Sequence, residues 1–170
     1  MKKSVSYIVG IVLLALCMHT AMVSASEFTV NDLVVKHPWV RATTANATVS
    51  AAYLSVENHG KQADVLINAS SSVADKVELH THIMDGDMMK MRQIESVEIG
   101  SHSSAEFEPR GNHLMLIGLK SALKTGDTIP FVLTFEKAGE LKINAVVKSI
   151  VAGSEKGNKQ SKQHDMKHMH

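Results

Sequence analysis

The middle of the chain contains short stretches in which apolar and polar residues alternate, a pattern typical of half-buried β-strands. The alternation is cleanest over residues 76–83, and the pair Asp85-Gly86 then predicts a hairpin leading into 89–92. Other strand candidates are short apolar stretches bounded by turn residues: 51–57, 65–67, 113–117, 129–137 and 141–150. Helical periodicity is weak. Residues 26–151 are therefore predicted to form one all-β domain, a sandwich or a barrel.

The first 25 residues have the pattern of a cleaved export signal. Lys2 and Lys3 precede an apolar stretch at 9–17, and Val23-Ser24-Ala25 supplies the small residues that signal peptidase requires. A membrane span needs about 20 apolar residues, and this stretch is shorter. We therefore expect residues 1–25 to be removed, leaving an exported chain without a membrane span, in the periplasm of a Gram-negative bacterium.

Cys17 is the single cysteine of the chain. Lipidation at Cys17 is the less favoured alternative, because the bulky Leu16 stands where a lipoprotein signal requires a small residue. Cleavage before Ser26 removes Cys17 and leaves a mature chain without thiols. This excludes disulfides, thiolate metal sites and a blue-copper centre, which needs a cysteine ligand.

The C-terminal residues 152–170 have a different composition from the domain. Residues 152–163 are mainly Gly, Ser, Lys and Gln, without an apolar pattern, and are predicted to be a disordered linker. Histidine and methionine then alternate with charged residues at the end of the chain. Imidazole nitrogen suits Cu(II), so we expect a second, Cu(II)-binding site here, formed from His164, Met166, His168, Met169 and His170.

Methionine and histidine are the unusual entries in the composition, with 10 residues of each among 170. The 18 Lys and Arg balance 17 Asp and Glu, so the basic surface typical of nucleic-acid binding is not expected. The composition instead indicates metal binding, because both imidazole and thioether bind transition metals.

Three predicted strands each present such side chains on one face. Residues two apart in a strand point to the same side, so His80 shares a face with His82, Met89 with Met91, and His113 with Met115. Thioether sulfur is soft and neutral and suits Cu(I), whereas a zinc site more often uses Cys, His and carboxylates. The pattern therefore favours copper.

Several motifs resemble the periplasmic copper chaperones of the PCu(A)C type. That family has a histidine, ten residues, a methionine, twenty-one residues and then His-x-Met, which is the spacing of His80, Met91, His113 and Met115. The resemblance extends over about residues 28–147 and includes the segments 39–42, 77–80, 89–92, 113–120, 126–127 and 135–139.

The resemblance implies a single cupredoxin-like β-sandwich, most simply a monomer, with a Cu(I) site at one end. Its implied ligands are His80, Met91, His113 and Met115. It also implies delivery of Cu(I) to the copper-bearing subunit of cytochrome c oxidase, beside Sco-type proteins. His82 shares the face of His80 without being part of the motif and is a candidate secondary metal ligand. Met84, Met88 and Met89 are expected to form a soft rim.

Two other functions remain open. A periplasmic copper-buffering or tolerance protein would use the same site without an oxidase client. A copper enzyme has less support, because the sequence has no paired carboxylates or nucleophile–base motif, and thioether ligands stabilise one oxidation state. We therefore expect a protein that is not an enzyme.

Overall fold

The computed structural model describes residues 27–149, which form eleven β-strands and no helix. No segment of these residues could therefore cross a membrane as an apolar helix. The strands are β1 (Glu27–Val30), β2 (Leu33–Arg41), β3 (Val49–Asn58), β4 (Asp64–Ser70), β5 (Ala74–Asp85), β6 (Met88–Gln93), β7 (Val97–Ile99), β8 (Ser103–Phe107), β9 (His113–Leu119), β10 (Thr128–Phe135) and β11 (Gly139–Lys148).

The strands are hydrogen-bonded in the order β6-β5-β9-β3-β2-β11-β10-β4-β7, with β1 paired to β2 and β8 paired to β3. All pairs are antiparallel except β11 with β2. The sheet folds over on itself, so that strands from both halves of this order bury their apolar side chains in one core. The predicted all-β sandwich is confirmed.

β2 changes partners along its length. β2 pairs with β1 up to Lys36 and with β11 from Trp39 onward. A register shift separates these halves, and His37 adopts a left-handed φ of 51° there. A bulge of this kind bends a strand, which carries β2 from one pairing to the other.

Strict alternation of buried and exposed side chains along the strands explains which residues form the core. In β11 every second residue from Leu141 to Val147 is buried, and β10 contributes Phe131, Leu133 and Phe135. Leu114 and Leu116 of β9 are fully buried. Because side chains alternate across a strand, His113 and Met115 of β9 point away from this core.

Most sequence-based strand predictions agree with the structure, whereas β1, β2, β7 and β8 were not predicted. β2 contains Pro38, which weakens a strand signal, and β7 has three residues. The predicted hairpin is present, but Asp85 pairs with Met88, so its two-residue turn is Gly86-Asp87. The expected signal peptide at 1–25 and the tail at 152–170 lie outside the described residues.

Gly118 lies near the end of β9, three residues beyond Met115, and has a backbone conformation that favours glycine. Its φ is 70°, and a Cβ built there would lie 2.8 Å from Cγ and 2.9 Å from Cβ of Asp75. Both the backbone conformation and the close approach of Asp75 therefore favour glycine at this position.

We expect Gly118→Ala to lower the free energy of unfolding more than Gly126→Ala does. Gly126 also has a positive φ, of 95°, but a Cβ there meets nothing within 4 Å. Each substitution should incur the left-handed conformational cost of about 1–2 kcal/mol, and only Gly118→Ala adds the clash with Asp75. Denaturant unfolding of both variants measures the difference, and equal losses would contradict the steric account.

Candidate copper site

Three neighbouring strands, β6, β5 and β9, bring the predicted ligands to one face of the sheet. His80 lies directly opposite His113, and Met115 lies opposite Glu78. On the other side of β5, His82 lies opposite Met91. Directly opposed residues point to the same side of a sheet, with Cβ atoms about 4.5–5.5 Å apart. We call this surface the donor face; its members are Glu78, His80, His82, Met84, Met89, Met91, His113 and Met115.

His80 is held by a carboxylate on its own strand. Its Nε2 lies 2.8 Å from Oε2 of Glu78, and Oε1 of Glu78 accepts a 2.6 Å hydrogen bond from Lys76 Nζ. Oε2 of Glu78 therefore accepts a hydrogen bond from Nε2–H of His80. The Nδ1 atom of His80 is buried and has no hydrogen-bond partner. A buried nitrogen lone pair without a partner is costly, and a metal ion would use it.

His113 is the most deeply buried member of the donor face, with 2% of its surface exposed. Its Nδ1 lies 3.1 Å from the carbonyl oxygen of Gly111, and Nδ1 of His82 lies 3.4 Å from the same oxygen. Both rings therefore donate Nδ1–H to one acceptor, which leaves Nε2 of each ring with its lone pair. The centroid of the His113 ring is 5.8 Å from that of His80 and 5.2 Å from that of His82.

The electrostatic surroundings keep His113 uncharged and Glu78 ionised. Burial lowers the pKa of His113 by more than the hydrogen bond to the Gly111 carbonyl raises it, and the nearby positive charge of Arg41 lowers it slightly further. The hydrogen bond from Lys76, followed by that from His80, lowers the pKa of the Glu78 carboxyl. A neutral imidazole binds metal, so His113 is already in its binding form at neutral pH.

The methionines of the donor face are less buried than its histidines. Met91 is 49% exposed and Met115 is partly buried. Met84 and Met89 are also exposed, whereas Met88 points to the opposite face of the hairpin. The expected soft rim therefore consists of Met84 and Met89, without Met88.

Sulfur ligands are needed to complete a site among the described residues. No group of three or more His, Cys, Asp or Glu side chains between residues 27 and 149 is arranged to hold a metal ion. Two or three imidazoles beside thioethers can instead offer a neutral, mixed nitrogen and sulfur surface. The secondary ligands expected at His164, Met166, His168, Met169 and His170 lie outside the described residues.

Three contacts around the histidines were not predicted from the sequence. Glu78 and His80 are two residues apart and therefore share a face of β5, but this spacing does not predict the hydrogen bond between them. The Gly111 carbonyl has no side-chain signal. Tyr53, buried on β3 with its ring centroid 6.4 Å from that of His113 and 4.4 Å from that of Trp39, supports the site from the side opposite the hairpin.

Solved structures similar to this chain are copper-binding domains. The copper-bound PCuAC domain from PmoF2 has a TM-score of 0.65 and 27% sequence identity, and the match covers 73% of this chain and 98% of that chain. The Cu(I) form of DR1885 from Deinococcus radiodurans has a TM-score of 0.57 and 26% identity, covering 81% of this chain and 87% of that chain.

Sequence comparison identifies the family. A "Putative lipoprotein" of Leifsonia xyli subsp. xyli (strain CTCB07) is 30% identical over 122 residues, which cover 71% of this chain and 72% of the relative. An uncharacterized protein of Rickettsia prowazekii (strain Madrid E) is 27% identical, covering 65% and 63%. The model of the family described as "Putative lipoprotein LpqE-like" matches residues 33–147. The chain therefore belongs to the LpqE-like family, and its fold is that of the PCuAC copper-binding domains.

Proposed function

We propose that this protein is an exported copper chaperone that binds one Cu(I) ion through His80, Met91, His113 and Met115 and passes it to another protein. One observation carries the proposal: Nδ1 of His80 is buried without a hydrogen-bond partner, in the ring that lies directly opposite the buried His113. Copper-bound relatives of the same fold support copper as the ion.

The chemistry of the four side chains favours Cu(I) over Cu(II). Two neutral imidazoles and two thioethers add no negative charge to the ion, and thioether sulfur is a soft ligand. Cu(II) prefers nitrogen and oxygen ligands in tetragonal geometry. The hydrogen bonds of His80 to Glu78 and of His113 to Gly111 fix the ring orientations, as partners of metal-binding histidines commonly do.

The proposed compartment is the periplasm. The residues 1–25 resemble an export signal, and the relative from Leifsonia is named as a lipoprotein, which supports export. That name also makes lipid attachment at Cys17 the alternative, in which the domain would be held at a membrane surface. In both cases the domain itself acts outside the cytoplasm, as a carrier rather than an enzyme, and as a monomer.

The proposed client is the copper-bearing subunit of cytochrome c oxidase, with Sco-type proteins as partners in assembly. This rests on the resemblance of the ligand spacing to copper chaperones. A copper-buffering or tolerance protein is the second candidate, because it would use the same four ligands. The tail residues His164, Met166, His168, Met169 and His170 are proposed to bind Cu(II) separately.

Met91 provides the sharpest test of the ligand set. Met91→Leu should weaken Cu(I) binding by about ten-fold or more, equivalent to about 1.4 kcal/mol, and leave the apo domain as stable as before, because this side chain is about half exposed. Met88→Leu is the matched control: the same residue type, on the same strand, pointing to the other face. Competition with a Cu(I) chelator and apo thermal melts measure both quantities.

Equal affinity in Met91→Leu and the parent protein would show that Met91 is not a ligand. X-ray absorption of the Cu(I) complex gives an independent readout. We expect mixed nitrogen and sulfur scattering, and a shell of only nitrogen and oxygen atoms would contradict the proposed site.

A deletion strain separates the two proposed roles. Loss of oxidase activity that is restored by added copper is expected for a chaperone, because excess ion replaces guided delivery. Copper sensitivity with normal oxidase activity would instead favour buffering. Complementation with the Met88→Leu and Met91→Leu genes distinguishes an effect of copper binding from an effect of the folded protein alone.

Removal of residues 152–170 tests the tail. The truncated protein should keep its Cu(I) affinity and apo stability, because the four proposed ligands and the described core lie within residues 27–149. It should bind less Cu(II), since it lacks three imidazoles. Titration of Cu(II) into the full and shortened chains measures the stoichiometry, and identical values would exclude a tail site.

A further inference from the structure

The β5–β6 hairpin carries two cross-strand pairs of soft side chains beyond the proposed Cu(I) site. His82 lies opposite Met91, and Met84 lies opposite Met89, next to the turn. All four point to the same side as His80, and successive pairs are two residues apart, or about 6.6–6.8 Å along the strands. We call Met84, Met89, His82 and Met91 the donor ladder.

Exposure is lowest at the buried end of the donor face and highest at the turn of the hairpin. His113 is 2% exposed at the inner end, Met91 is 49% exposed in the middle, and Met89 and Met84 are 52% and 64% exposed at the turn. The turn end is therefore the most exposed part of the donor face.

The other face of the same hairpin has a different character. Lys90 forms an ion pair with Asp85 there, beside Arg92, and Met88 is the single thioether among the side chains of that face. Soft side chains are thus concentrated on one face of the hairpin, in line with His80 and His113, instead of being spread over the whole surface.

We propose that the donor ladder is the route by which Cu(I) enters and leaves the site, a proposal that rests on the proposed Cu(I)-binding function. Copper is first held by Met84 and Met89, then by His82 and Met91, and then by His80, His113 and Met115. At each step one neutral ligand replaces another. The ion remains Cu(I), and because Nδ1 of His82 is directed to the carbonyl oxygen of Gly111, Nε2 is the nitrogen of that ring available to the ion.

His82 is the link between the thioethers and the buried end. Its ring centroid is 5.2 Å from that of His113, closer than the 5.8 Å between His80 and His113. Met91 opposite His82 belongs both to the donor ladder and to the proposed final ligand set. Because a methionine side chain is flexible, Met91 can remain bound to the ion while His80 and His113 replace His82 as ligands.

The rate of copper capture tests this route. The probe is Cu(I) supplied as its coloured bicinchoninate complex without oxygen, with the full-length protein in excess in a stopped-flow instrument. The double variant Met84→Leu/Met89→Leu keeps side-chain size and removes both outer thioethers. We expect capture to slow about ten-fold, equivalent to about 1.4 kcal/mol in the barrier, while the equilibrium affinity stays unchanged. His82→Gln should also slow capture at unchanged affinity.

Met88→Leu is the matched control and should capture copper at the parent rate. Unchanged rates in the double variant and in His82→Gln would overturn the route, as would a loss of affinity proportional to the loss of rate, since the residues would then be ligands of the final site. A parent protein that takes no Cu(I) from the chelator at equilibrium would instead overturn the proposed function, and the two failures are therefore distinguishable.

Discussion

The pairing of β5 with β9 is the interaction on which the site depends. Its register places Leu79 opposite Leu114 on the core side and His80 opposite His113 on the other side. A shift of one residue would exchange these faces and put the imidazoles into the core. The two leucines are buried, so the apolar packing that stabilises the domain also fixes the register. The geometry of the histidines is in this sense a consequence of the core.

The strand register brings the histidine rings together, and hydrogen bonds then determine the orientation of each ring. Glu78 holds one ring and the Gly111 carbonyl holds two. These contacts determine which nitrogen of each ring carries the proton and which keeps a lone pair. Neither Glu78 nor the Gly111 carbonyl is a proposed copper ligand, yet their hydrogen bonds hold the imidazole rings in place for a metal ion.

Local sequence pattern was sufficient for the strands that carry the site and insufficient for several that surround it. The period-two alternation of β5 and the His-x-Met of β9 predicted strand and face correctly, because side-chain direction depends only on position along a strand. β2 was missed, since its bulge at His37 and its Pro38 interrupt the alternation. β8 was missed because its sequence, residues 103–107, contains few apolar residues. The Gly111 carbonyl and the closeness of Tyr53 to His113 depend on tertiary packing, which spacing along the chain does not encode.

β6 is an edge strand, hydrogen-bonded only to β5, and all six of its residues are exposed. β9 lies between two strands and is anchored by Leu114 and Leu116. The proposed ligands are therefore divided between the anchored inner strands and the edge strand β6, which carries Met91. An edge strand with few buried contacts can open locally at a much lower free-energy cost than unfolding of the whole domain. This division lets a carrier release its ion by local opening of β6, while the rest of the domain stays folded and can bind the next ion.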